Sequence, residues 1–177
     1  MRHFAVSAIG RDRPGIVAGV ARALLEHGVN VEDSQMGILR GHFAMVLVVS
    51  APDEADADRL AADLEQAAAA LELEAIALSE VAPLDPAGAT PDHTVTVYGA
   101  DHPGILHAVA AALAERAVNI TGLSTRLVGE EERPLYVIIM EVVVGESSLA
   151  EIERALEVVR VEQKVEVTIR PLEQDAL

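Results

Sequence analysis

The feature that most constrains this chain is that it repeats itself. Displaced by 89 positions, Gly10-Arg-Asp12-Arg13-Pro14-Gly15-Ile16 falls on Gly99-Ala-Asp101-His102-Pro103-Gly104-Ile105, and 12 of the 22 positions from Gly10 to Val31 are identical to their counterparts. A period of that length is too long for a solenoid unit and is the size of a small domain with its own core, so the chain reads as a tandem duplication. With 51% hydrophobic residues in 177, each copy can bury enough apolar surface to offset the entropy of ordering. The boundaries read as 1–82 for the first domain, 83–91 for a linker rich in Pro and Gly, 92–172 for the second domain and 173–177 for a C-terminal tail.

Both copies present the same succession of elements. Phe4 to Ile9 and Thr94 to Tyr98 alternate as strands do, with Val6 and Val95, and Ala8 and Val97, facing inward. Ile16, Val20 and Leu24, with Ala23 beside them, form one helical stripe; Ile105, Val109, Leu113 and Ala112 form its twin. Two strands follow, Asn30 to Arg40 and Phe43 to Val49 in the first copy, Asn119 to Val128 and Leu135 to Val144 in the second, where the turn runs from Gly129 to Pro134. The second helices are marked by Leu60, Leu64, Ala67 and Leu71, and by Leu149, Ile152, Leu156 and Val159 behind a capping box, Ser148 to Glu151. Strands near Leu73 to Val81 and Val165 to Ile169 close the units. The order βαββαβ specifies an α+β fold of two tandem ferredoxin-like domains, each with two helices on one face of a four-stranded antiparallel sheet. Phe43 to Val49 and Tyr136 to Met140 are apolar on both faces, so the helix-free face is expected to be covered by another copy or another chain.

Composition removes several classes of function. The formal charge of −16 repels phosphate backbones, so direct nucleic-acid binding is disfavoured. There is no cysteine, hence no disulfide framework and no thiolate. Six histidines show no H-E-x-x-H spacing, and no G-x-S-x-G, P-loop or G-x-G-x-x-G motif occurs, so neither metal, cofactor nor catalysis is expected. The only aromatic residues, Phe4, Phe43, Tyr98 and Tyr136, are expected to fill core rather than stack on bases. No run reaches the length of a membrane span, and a soluble, cytoplasmic protein without a membrane role is the expectation.

The repeated loop carries the chemistry. Asp12 and Asp101 are placed to cap a helix, Pro14 and Pro103 to set φ in its first turn, and Gly15 and Gly104 to remove bulk. Such a loop leaves backbone N–H groups at the positive end of a helix, a cradle for a carboxylate, and the asparagines Asn30 and Asn119 after the helix add a donor and an acceptor. Together these suit a zwitterion; the same signals also serve as a plain helix start. Arg13 is able to grip a carboxylate and its counterpart His102 changes charge with pH. Gly28, a left-handed helix stop, is matched by Ala117, for which positive φ is costly, so the two helices are expected to end differently.

The G-x-D-x-P-G-I loop, the apolar helix stripe and G-V-N-V or A-V-N-I entering a strand resemble ACT domains. The pair resembles the tandem ACT-domain regulatory proteins similar to the glycine cleavage system transcriptional repressor family. That resemblance implies a non-catalytic regulatory protein, possessing an amino-acid effector site at an interface between ACT units, where the loop of one faces the second strand of its neighbour. Carried over by position, it nominates Asp12, Arg13, Pro14, Gly15, Ile16, Asn30 and Val31, and in the second copy Asp101, His102, Pro103, Gly104, Ile105, Asn119 and Ile120. It implies as partners a small amino acid, an unidentified regulatory protein or enzyme and a second copy in a homodimer, with any control of genes or of glycine metabolism indirect. The competing reading is a ligand-free assembly module. A ligand of about seven heavy atoms sets a ceiling that makes micromolar to millimolar affinity the expectation.

Overall fold

A computed structural model of the chain describes residues 1–82, 88–129 and 134–172, in two units, Met1–Pro86 and Ala87–Leu177. The expected linker and the hairpin tip at Glu130-Glu131-Glu132 fall partly or wholly outside the described residues, as does the tail. In the first unit the alternating and helical patterns become β1 (Arg2–Arg11), α1 (Ile16–Glu26), β2 (Asn30–Leu39), β3 (His42–Ala51), α2 (Ala57–Ala70) and β4 (Leu73–Val81). The second repeats them as β5 (His93–Ala100), α3 (Ile105–Ala114), β6 (Asn119–Val128), β7 (Leu135–Val143), α4 (Leu149–Gln163) and β8 (Glu166–Pro171). Each sheet is antiparallel throughout, ordered β2-β3-β1-β4 and β6-β7-β5-β8. This is the α+β ferredoxin-like plan, twice.

The helical stripes account for the cores. Ile16, Val20, Ala23 and Leu24 are buried against Phe4, Val6, Met45 and Val49, and Ile105, Val109, Ala112 and Leu113 against Val95, Val97, Met140 and Val142. Each fully buried aliphatic side chain contributes about 1.5–3 kcal/mol relative to exposure. The third strands are two-faced as their sequence requires: Phe43, Met45, Leu47 and Val49, and likewise Ile138, Met140 and Val142, are buried under helices. On the helix-free side Val46 is 49% and Ile139 45% exposed, so these faces present apolar side chains to solvent. Tyr98 joins them and is likewise exposed, because it faces away from the helices; Phe4 and Phe43 fill core, and Tyr136 packs half-buried against the second core.

Two glycines of the repeat have a packing role that their place beside the loop conceals. A Cβ at Gly10 would stand 2.9 Å from the Leu73 side chain and 3.1 Å from its Cα, and one at Gly99 would stand 2.7 Å from Val165 Cγ1 and 3.2 Å from its Cα. The last strand of each unit can lie beside the first only because both positions lack a side chain.

The helix ends correct one expectation. Gly28 has φ 65° and Ala117 φ 54°, and both helices close alike: Val29 N–H donates to Leu24 O and Gly28 N–H to Leu25 O, while Val118 N–H donates to Leu113 O and Ala117 N–H to Ala114 O. This is the Schellman closure in both units. Burial of Val118 and the two terminal hydrogen bonds outweigh the roughly 1 kcal/mol that alanine costs in a left-handed conformation. At the start of α4, Ser148 is the N-cap residue, but its hydroxyl makes no capping bond; only its carbonyl is engaged, by the N–H groups of Glu151 and Ile152.

Two predictions follow from these positions. Ala117→Gly raises the melting temperature of the full chain in calorimetry, corresponding to a gain of up to about 1 kcal/mol, and Gly28→Ala lowers it by a similar amount. Gly99→Ala, which must displace β8 at Val165, destabilises by about 1–3 kcal/mol in chemical denaturation.

Candidate functional site

Gly15 and Gly104 decide how the loops are built. Each is the residue before its helix and is left-handed, with φ 98° and 104°, a conformation open to glycine and expensive for anything with a Cβ. The helices therefore begin at Ile16 and Ile105, later than a cap at Asp12 or Asp101 would allow, and neither N-cap receives a side-chain hydrogen bond. The aspartates do not cap, and Pro14 and Pro103 precede the first turn instead of entering it. Their loops stand outside the helix, which shortens α1 to 11 residues and α3 to 10.

The first backbone bonds run from Gly19 N–H to Gly15 O and from Ala108 N–H to Gly104 O, both 2.9 Å. Among the described residues no backbone acceptor meets the N–H groups of Ile16, Val17 and Ala18, or of Ile105, Leu106 and His107. Three free donors thus point out of each helix start, where the dipole favours a negative group. Asp12 N–H is spent on Gly41 O at 3.1 Å.

Arg13 and its counterpart His102 are also engaged. Arg13 Nη1 donates to Glu72 Oε2 at 2.9 Å, and its Nη2 is shielded from solvent without an acceptor. His102 Nε2 lies 2.8 Å from Gln163 O and Nδ1 3.1 Å from Pro103 O; these carbonyls, Gln163 first, raise the imidazole pKa above its ordinary value. Both side chains thus tie the loop to the end of the unit's second helix. In the second unit the loop Asp101–Ile105, with Leu106 and Tyr136, lines a cleft of about 340 Å³. Tyr136 pairs with Gly99 as Phe43 pairs with Gly10, but the tyrosine is half-buried where Phe43 is buried. Tyr136 and the two helix-end partners, Glu72 and Gln163, were not visible as site residues in the sequence; the exchange of phenylalanine for tyrosine between copies was the available signal.

The asparagines lie elsewhere. Arg11, next to the first loop, pairs with His42, whereas Asn30 pairs with Ser50 at the far end of the same strand. Some eight rungs of strand separate those pairs, so loop and asparagine stand about 25–30 Å apart within one unit. The second unit matches this: Ala100 pairs with Leu135 and Asn119 with Val143. The nominated residues therefore form two groups at opposite ends of each sheet, Asp12 to Ile16 and Asp101 to Ile105 at one end, Asn30 with Val31 and Asn119 with Ile120 at the other. The reason is mechanical: α1 runs antiparallel to β1 and returns the chain to where the strand began.

The asparagine ends differ between copies. Asn30 Nδ2 donates to Glu32 Oε1 at 3.1 Å, and Glu32, the bulged residue of β2, also accepts from the buried Ser50 hydroxyl. These bonds, the hydroxyl's first, hold the Glu32 carboxyl below the ordinary range. In β6 the bulged residue is Thr121, whose hydroxyl donates to Glu141 O, and among the described residues no carboxylate accepts from Asn119. Val31 helps line an apolar cleft of about 180 Å³ between α1 and β2, with Val17, Met36 and Leu47. Among the described residues no three His, Asp or Glu side chains gather as a metal site, and no helix is long and apolar enough to cross a membrane.

A βαββαβ unit built twice, with a glycine-started helix after each first strand, defines a tandem of small ferredoxin-like domains. Residues 2–76 match a family model described as ACT domain, and residues 93–161 match another with the same description. A UPF0237 protein of Methanopyrus kandleri is 42% identical over 82 residues, covering 45% of this chain and 90% of that protein. The crystal structure of an unknown protein from Galdieria sulphuraria is 31% identical, with TM-score 0.78 over 97% of this chain and 98% of that one. A candidate glycine cleavage system transcriptional repressor shares the fold at 21% identity and TM-score 0.71, over 97% of each chain. The chain belongs to the ACT-domain family and carries two such domains in tandem.

Proposed function

We propose that this chain is a non-catalytic regulatory protein that senses a small amino acid and signals through a protein partner, a role that includes indirect control of amino-acid metabolism. The observation that carries the reading is the pair of helix starts with three unpaired N–H donors each, together with an asparagine at the opposite end of the sheet that cannot reach them within its own unit. The effector carboxylate rests on the helix-start amides of one ACT unit. Its ammonium group meets the asparagine at the second-strand start of another unit, so the ligand joins the two. Binding then shifts the population toward one arrangement and changes the surface offered to the partner. The two sites are unequal, because Asn30 is held by Glu32 and only the second loop carries a tyrosine wall.

The experiment is a thermal-shift and calorimetric screen of the twenty amino acids on the full chain. At least one raises the melting temperature with micromolar to millimolar affinity, and Asn119→Ala weakens it more than Asn30→Ala does. Silence toward all twenty overturns the sensor.

A second reading, the ligand-free assembly module, draws on the exposed apolar side chains of the helix-free faces, Ile9, Leu39 and Val46 in one unit and Tyr98 and Ile139 in the other. It shares with the first the expectation of a homodimer. Sedimentation equilibrium of the unliganded chain gives a dimer, and Val46→Asp with Ile139→Asp shifts it toward monomer; a concentration-independent monomer removes self-association from both readings.

A further inference from the structure

We propose that His102 is a proton-operated clamp, which holds the second loop against the end of α4 while the ring is charged and frees it when the ring becomes neutral. The geometry requires the charge. Both ring nitrogens face carbonyl oxygens, Nε2 that of Gln163 at 2.8 Å and Nδ1 that of Pro103 at 3.1 Å. A carbonyl only accepts, so both nitrogens must carry hydrogen, and only the imidazolium does. Gln163 is the last residue of α4, where the unpaired carbonyls form the negative end of the helix dipole and favour a cation. Of the charged groups facing the ring, Asp101 favours the proton and Lys164 opposes it, and the two carbonyls outweigh Lys164.

A neutral ring keeps one N–H. Retained on the shorter bond to Gln163, it leaves the Nδ1 lone pair facing the Pro103 carbonyl across 3.1 Å, and two acceptors at that distance repel. Pro103 belongs to the loop that lines the 340 Å³ cleft, so loss of the proton loosens that wall. The folded pKa lies above the imidazole's ordinary 6.5, so the clamp is fully closed below that pH and is released as pH rises through the raised value. The first unit lacks the device: Arg13 and Glu72 make the equivalent tie with a guanidinium and a carboxylate, and no imidazole takes part. The regulatory consequence rests on the reading of the second loop as an effector loop: one chain then carries one site tied by a histidine and one tied by an arginine.

The test is hydrogen–deuterium exchange of the unliganded full chain between about pH 6 and pH 9, corrected for intrinsic exchange, comparing peptides over 101–113 with those over 12–24, whose hydrogen-bonded amides begin at Ala108 and Gly19. Protection of the second loop falls roughly fivefold or more relative to the first across this range, and His102→Arg abolishes the difference. Parallel behaviour of the two loops, or a step that persists in His102→Arg, overturns the clamp. The wild-type comparison stands by itself should the variant fold poorly. No effector is needed, so silence in the amino-acid screen overturns sensing and leaves the clamp, whereas flat exchange overturns the clamp and leaves sensing.

Discussion

The antiparallel ladder of each central strand governs everything that the units can do. β1 pairs with β3 over ten residues, from Arg2 with Ala51 to Arg11 with His42, and β5 pairs with β7 in the same way. Because the helix that follows packs back along this ladder, the loop is fixed at one end of the sheet and the asparagine at the other. No rotamer change or loop motion closes a gap of 25–30 Å across a buried sheet. A ligand of amino-acid size spans only a fraction of it. The two groups therefore act separately, or act together only across two units, and this limit is stronger than anything the loop chemistry alone implies.

Architecture was legible in the sequence because its signals are periodic and doubled. The stripes Ile16, Val20, Leu24 and Ile105, Val109, Leu113 are buried as their spacing requires, and β3 and β7 are apolar on both faces as written. The loop was legible in its location and less so in its mechanism. A D-x-P-G motif suggests an aspartate cap, but the left-handed Gly15 and Gly104 move the helix start past the aspartate. Glycine's tolerance of positive φ and its lack of bulk look identical in a sequence; only the backbone distinguishes them.

What stayed hidden is long-range. The requirement for Gly10 and Gly99 comes from Leu73 and Val165, and the ties of Arg13 and His102 come from Glu72 and Gln163, some 60 residues away along the chain. No local pattern announces such partners. Ala117 taught the opposite lesson: a local penalty of about 1 kcal/mol was visible, but the burial that overrides it was not. The repeat itself held that information, since Val29 and Val118 occupy matching positions and are both buried.

Duplication also explains why the two loops diverge where they do. The positions kept in both copies, Asp, Pro, Gly and Ile of the loop, set its path, whereas Arg13 and His102 differ in how the loop is tied down. A guanidinium reaching a carboxylate makes an exposed ion pair, weakened by salt. In the second unit an imidazole set between two carbonyls replaces it. The Asn30 and Asn119 ends diverge in parallel: Asn30 is tied to Glu32, and among the described residues Asn119 makes no such bond. Backbone geometry that must be shared has been held constant, and the side chains that tie each loop and each strand start in place have separated.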